Sequence, residues 1–265
     1  MNVAILIPTR FASSRYPGKP LVELRGATGV AKPLIQRSYE AACRVGGSGD
    51  VCVVTDDDRI AAAAEAFGAP VIMTSPDCRN GTERCAEALG QLGNVDLVVN
   101  LQGDALLTPA HFVEALIAHM NEDREAQVAT PAIRMSSAEV RMLQDEEAEG
   151  RVGGTSVVTD ERGRALYFSK RLIPHLPNGA LDDLLSPVRL HVGVYAYRPD
   201  ALELYERTAP AQLELLEGLE QLRFLTAGVP VNVVEVDPPR FALRELNNPE
   251  DLEPIEQALI EAGLE

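Results

Sequence analysis

In the first half of the chain, short apolar runs alternate four times with stretches of helical spacing. VAILIP, VCVVT, PVIMT and VDLVVNLQ are followed by helix-period segments at about 31–46, 57–67, 81–92 and 109–121. Repeated strand-then-helix order predicts parallel strands joined by crossover helices, an α/β fold with a mostly parallel central sheet flanked by helices. Ligands of such sheets bind just beyond the carboxyl ends of the strands. That rule singles out residues 8–19, 55–56, 74–80 and 102–104.

The second half is patterned differently. ATPAIRM, GTSVVTDERGRALYFS and RLHVGVYAYR alternate as strands, and Asp160–Gly163 reads as a hairpin turn. Residues 129–200 are therefore expected to form an antiparallel extension of a single domain spanning 1–265. A helix is expected over about 211–225 with Leu213, Leu216 and Leu219 along one side, and VPVNVVEV returns as a strand. Asn248 and Pro249 suit the N-cap and first position of a terminal helix. The acidic stretch QDEEAEGR at 144–151 reads as a solvated, mobile connection.

Composition changes this picture in one respect. Hydrophobic residues make up 46% of the 265 and charged residues 24%, ordinary for a globular protein, but the formal net charge is −16. Such a balance argues against nucleic-acid or anionic-membrane partners. No apolar run approaches a membrane span and no signal-peptide pattern opens the sequence, so a cytoplasmic location is expected. Cys43, Cys52, Cys78 and Cys85 lack CxxC spacing and are expected as buried free thiols.

Against the acidic background, IPTRFASSRYPGKPL places Arg10, Arg15 and Lys19 in one Ser/Gly/Pro-rich loop, with no acid before Glu23. Each cation alone would be an ordinary surface residue. Together, beyond a strand, they suggest a cradle for phosphate, built of cationic side chains and backbone N–H groups. The loop carries neither GxGxxG nor the flanking residues of a P-loop, so neither motif is supported.

Taken with MTSPDCRNGTER at 73–84, NLQGD at 100–104, ALYFSK at 165–170, HVGVYAYR at 191–198, LEQLR at 219–223 and NPEDLE at 248–253, the loop resembles the 3-deoxy-manno-octulosonate cytidylyltransferase family. The resemblance implies a nucleotide-diphospho-sugar-transferase-like fold, CTP and an acidic acceptor as substrates, Mg²⁺, and a homodimer. It implies that Arg10, Arg15 and Lys19 hold the triphosphate, helped by Pro8 and Ser14. Thr74, Asn80, Gly81 and Thr82 would read the nucleoside, although the same segment could simply cap a helix. Asp104 and Asn247 would hold the metal, and Arg10, Arg15, Lys19 and Asp104 would be the catalytic set. Gln102, Lys170, His191, Tyr195, Glu217 and Gln221 would meet the acceptor. Glu217 and Gln221, four apart, would share a helix face toward either the pocket or water.

Four positions depart from the family pattern: Ala105 where it has Glu, Ser156 where it has Lys, Lys170 where it has Arg, and Asn247 where it has Asp. Lys offers a point charge where Arg offers a bidentate fork, so the acceptor's anion would be held differently. Three functions stay open on the sequence: CMP transfer to 3-deoxy-manno-octulosonate (Kdo) or a close relative, CMP transfer to another acid such as a small phosphonate, and a non-catalytic CTP-binding module.

Overall fold

The computed structural model describes residues 1–12, 16–47, 49–241 and 243–264; Ser14 and Arg15 lie outside them. The chain opens with β1 (Val3–Thr9), buried at every position because strands pair on both of its sides. A small flap of β2 (Glu23–Arg25) and β3 (Ala31–Pro33) precedes α1 (Leu34–Cys43). The helix therefore starts three residues later than the pattern at 31 suggests. Pro33 disfavours helical backbone at Lys32 and itself stands at the N-cap.

Next come β4 (Val51–Thr55), α2 (Asp58–Ala66), β5 (Val71–Met73), α3 (Gly81–Ala88), β6 (Leu97–Leu101) and α4 (Ala110–Glu122), the expected alternation. Strands β5, β4, β1 and β6 are parallel neighbours in that order. Their loops open at one edge, bringing residues near Thr9, Thr55, Thr74 and Gln102 to the same end of the sheet.

From β7 (Val128–Ser136) onward the sheet becomes mixed. After α5 (Ser137–Ala148) come β8 (Ser156–Thr159), β9 (Ala165–Ser169), β10 (Leu185–His191) and β11 (Val194–Tyr197), all paired antiparallel within the same ten-stranded sheet. Strand β11 lies directly against β6 and sets Tyr195 opposite Asn100. The expected turn closes β8 onto β9, with Gly163 N–H donating to Asp160 O at 3.1 Å. The remaining elements are α6 (Pro199–Arg207), α7 (Gln212–Glu217), α8 (Leu222–Thr226), β12 (Val231–Glu235), which pairs parallel with β7, and α9 (Leu252–Ala262).

Three expectations need correction. The acidic stretch at 144–151 is largely the end of α5 rather than a mobile connection. Its start is fixed by a capping box in which Glu139 N–H donates to Ser136 Oγ at 3.3 Å and the Glu139 carboxylate accepts Ser136 N–H at 2.8 Å. The helix expected over 211–225 is two short helices broken at Gly218, which adopts φ 62°. Leu213 and Leu216 consequently lie exposed and only Leu219 is buried. Finally, Cys43 is exposed, while the other three cysteines are buried free thiols.

Candidate active site

One large cavity, about 660 Å³, opens at the carboxyl edge of the parallel strands, between the loop after β1 and the α7–α8 segment. Pro8, Arg10 and Lys19 form one side, and Lys19 Nζ bonds Asp104 Oδ2 at 2.5 Å. Asp104 stands in the turn beyond β6, fixed where Ala105 N–H donates to Gln102 O at 2.9 Å. Two small residues let this corner close tightly. A Cβ on Gly103 would meet Pro8 O and Thr9 Cβ at 3.0 Å, and one on Gly81 would meet the Gln102 amide at 3.0 Å.

Asn80 caps α3, its Oδ1 accepting Glu83 N–H at 2.8 Å while its Nδ2 donates to Tyr205 Oη at 3.0 Å. The capping reading of this segment is therefore correct, and Asn80 and Gly81 also line the cavity. Thr74 and Thr82 lie behind the wall. Thr74 Oγ1 accepts from Arg84 at 2.5 Å, and Thr82 Oγ1 pairs with Tyr197 Oη at 2.8 Å.

Opposite the cationic side stand Tyr195, Glu220 and Gln221, with Gln102 between the two sides. Tyr195 Oη donates to Gln221 Oε1 at 3.1 Å, and Gln221 Nε2 has no protein partner among the described residues. Glu220 accepts from Thr82 N–H at 3.0 Å and from Gln102 Nε2 at 3.3 Å. Burial raises its carboxyl above the ordinary Glu range, and the hydrogen bonds from Thr82 only partly offset the effect.

The sign of this shift gives an expected result. A carboxylate whose folded pKa is raised destabilises the fold above that pKa and is neutral in effect below the unfolded value. Glu220→Gln keeps an acceptor for Thr82 without the charge, so its melting temperature should exceed the parent's at pH 8. The gap should close as pH falls toward 4.5, and a thermal-melt series across that range checks it; a gap that widens in acid would contradict the assignment.

The chain matches the cytidylyltransferase family over residues 4–234. It is 38% identical over 99% of its length to the 3-deoxy-manno-octulosonate cytidylyltransferase of Maricaulis maris, covering 99% of that protein. Against the protein of the same name from Syntrophotalea carbinolica it is 40% identical, covering 98% of this chain and 99% of that one. The chain belongs to the 3-deoxy-manno-octulosonate cytidylyltransferase family. A solved structure of CMP:2-keto-3-deoxy-manno-octonic acid synthetase complexed with CTP superposes with TM-score 0.84 at 35% identity, over 99% of this chain and 100% of that one. The 4-diphosphocytidyl-2C-methyl-D-erythritol synthase of Anaerococcus prevotii, TM-score 0.58 at 13% identity, shares the fold alone.

The structure brings together Pro8, Arg10, Lys19, Asn80, Gly81, Gln102, Asp104, Tyr195, Gln221 and Asn247 of the residues the family pattern singled out. Three acceptor-side candidates lie elsewhere. His191 Nε2 pairs with Thr130 Oγ1 at 2.9 Å under the Phe168 ring, and burial depresses its imidazole to about 3, so it is neutral. Glu217 turns toward β9, accepting from Ser169 Oγ at 2.9 Å and Lys170 N–H at 3.0 Å. Lys170 is exposed and does not line the cavity, although its ammonium is 3.0 Å from where a Cβ on Gly218, a lining residue, would stand.

Ser156 is a structural departure from the family pattern. It is buried, donates to Arg171 O at 2.6 Å and accepts Ile173 N–H at 3.1 Å. Sequence reasoning missed Glu220, Glu214, Arg84 and Arg223, all in the cavity wall. Glu220 and Arg223 fall inside the quoted LEQLR motif, which was the available signal. Among the described residues no cluster of three or more His, Cys, Asp or Glu could hold a metal, and no helix is long and apolar enough to cross a membrane.

Proposed function

We propose that this cavity binds CTP and the sugar acid 3-deoxy-manno-octulosonate, and transfers CMP to the acid with release of pyrophosphate. The observation that carries the reading is that the Lys19–Asp104 pair and the Tyr195–Gln221 pair line one and the same cavity. An anion-gripping side and a hydroxyl-reading side are thus available to two substrates at once. Gln221's unpaired amide donor suits a hydroxylated acceptor, because a buried donor without a partner costs about 1–3 kcal/mol.

Arg10 and Lys19 would neutralise the triphosphate, and Arg15 belongs to the same proposed set. Asn80 and Gly81 would border the nucleoside, while Gln102, Tyr195 and Gln221 would orient the acceptor. The acceptor's hydroxyl oxygen then bonds the α-phosphorus in line as the bond to pyrophosphate breaks and the hydroxyl proton is released. Such chemistry rests mainly on positioning and charge neutralisation, and requires no nucleophilic side chain.

The oxygen donors of Asp104 and Asn247, both in the cavity wall, fit Mg²⁺, which takes one or two carboxylates together with phosphate and water oxygens. Asn247 is held by its N–H on Asp251 Oδ2 at 2.9 Å, ahead of α9. When bound, the ion would offset charge on the departing pyrophosphate. A homodimer in the cytoplasm, with residues 129–200 supplying the contact, completes the proposed reading.

Pyrophosphate release from CTP and Mg²⁺, first with 3-deoxy-manno-octulosonate and then with other sugar acids and small phosphonates, tests it. Turnover with the first acid is the expected result. Silence there with activity on another acid would relocate the acceptor. Silence with every acid, alongside retained CTP binding, would leave a binding module.

A further inference from the structure

Phe11 stands two residues beyond β1, and two groups press on its ring. The guanidinium carbon of Arg59 in α2 lies 3.3 Å from the ring centroid. Gly18 approaches so closely that a Cβ there would meet Phe11 Cζ at 3.0 Å, and its φ of 73° is one that side chains disfavour. Gly18 N–H donates to Phe11 O at 3.0 Å, tying the backbone at these two residues together, and Lys19 follows at once.

At its other end this stack is anchored to the helix. Asp57, the N-cap of α2, accepts Arg59 N–H at 3.0 Å and grips the same guanidinium at 2.9 and 2.6 Å. The Asp57–Arg59 pair is neutral as a unit, so it braces the loop without adding net charge beside Arg10 and Lys19. Neither residue lines the cavity, and Arg59's side chain is 60% exposed.

We propose that Arg59 is a positioning residue for the loop, acting through Phe11 on Gly18 and Lys19. The proposal rests on the reading above that this loop grips the CTP triphosphate. Arg10 and Lys19 both line the cavity, and a brace from α2 on Phe11 and Gly18 holds the backbone that carries Lys19 in place before the nucleotide arrives. Arg59 touches no substrate; its effect runs from Asp57 through the Phe11 ring to the backbone that sets Lys19 against Asp104.

Steady-state kinetics on Arg59→Gln, Asp57→Asn, Phe11→Leu and Phe11→Tyr test this, with Arg10→Gln as the reference. Arg59→Gln should raise the KM for CTP roughly fivefold, the size of a lost exposed cation–π contact. The acceptor KM, measured at saturating CTP, and the melting temperature should hold. Asp57→Asn, which keeps an N-cap oxygen, should act in the same direction but less, and Phe11→Tyr should behave as the parent where Phe11→Leu does not.

An unchanged CTP KM in Arg59→Gln and Phe11→Leu, with a raised one in Arg10→Gln, would overturn the proposal and leave the phosphate-loop reading standing. An unchanged CTP KM in Arg10→Gln as well would remove that reading and the proposal with it. A fall in kcat and melting temperature with both KM values raised together would show a purely structural contact, and would equally overturn it.

Discussion

Asp104→Asn is expected to lower kcat by roughly 10²–10³-fold while leaving the fold intact. The substitution keeps side-chain size and removes the one carboxylate that Lys19 holds at 2.5 Å. Two effects then act together. Lys19 loses the partner that fixes its ammonium at the cavity corner, and the proposed metal position keeps only neutral oxygens at 104 and 247. Because the chain carries a net charge of −16, removing one carboxylate relieves rather than adds overall repulsion, so the melting temperature should hold or rise. Raising Mg²⁺ should recover part of the lost rate. Pyrophosphate release across a Mg²⁺ titration reads all of this. Parental turnover and parental Mg²⁺ dependence in the variant would remove Asp104 from the metal assignment.

How much of this site was legible in the sequence differs from residue to residue. The corner at Arg10, Lys19 and Asp104 was legible because strand-then-helix alternation fixes which loops share an edge, and β1 and β6 are adjacent parallel strands. The opposite side was less legible because it depends on helix phase. An unbroken helix over 211–225 would set Glu217 and Gln221 on one face. Gly218 in left-handed backbone resets the phase, sends Glu217 to Ser169 and leaves Glu220 and Gln221 in the cavity wall. A glycine inside a Leu-rich pattern was a visible signal of such a break.

Other elements were hidden for different physical reasons. The three-residue strands β2 and β3 are too short for any periodicity to show. Helix α5 has an acidic second half, which reads as solvated chain, and only Ser136 with Glu139 three residues later marked its start. His191 alternates correctly within its strand, yet the partner that takes its ring nitrogen, Thr130, lies 61 residues away on β7. The buried charges at Glu214 and Arg223 likewise meet only through the tertiary fold.

Arg223→Met is expected to produce the largest loss of stability, about 3–5 kcal/mol. Arg223 is 1% exposed, bonds Glu214 at 2.5 and 2.8 Å and Glu83 at 3.0 Å, and stacks 3.9 Å from the Tyr205 ring centroid. Although burial works against its charge, the Glu214 hydrogen bonds hold the guanidinium protonated more firmly than usual. For a chain of this size the loss corresponds to a fall of roughly 10 °C in melting temperature. The two carboxylates do not suffer alike: Glu83 keeps Arg79 at 2.6 Å, whereas Glu214 is left buried with Ala211 N–H and Tyr205 Oη as its partners among the described residues.

The pH dependence follows from that asymmetry. In the parent, burial pulls Glu83 up but its bonds from Arg79 and Arg223 hold it below the ordinary value, so its stabilisation is present above the unfolded pKa and lost in acid. The variant removes the Arg223 share of that stabilisation, so the gap between parent and variant is widest above the unfolded pKa and narrows in acid, and thermal melts from pH 8 to pH 4 should converge. Arg223→Met combined with Glu214→Leu should recover part of the loss at pH 8, since a well-packed apolar pair often replaces a buried ion pair without penalty. Additive losses in the double variant would show that packing around Tyr205, rather than the charge pair, holds α8 against α3. Because Glu83 lies two residues from Gly81 and Arg223 two residues from Gln221, the same variant should raise the KM of both substrates under the proposed reading. A stability loss that left both KM values at parental levels would show that the network supports the fold without setting the two sides of the cavity.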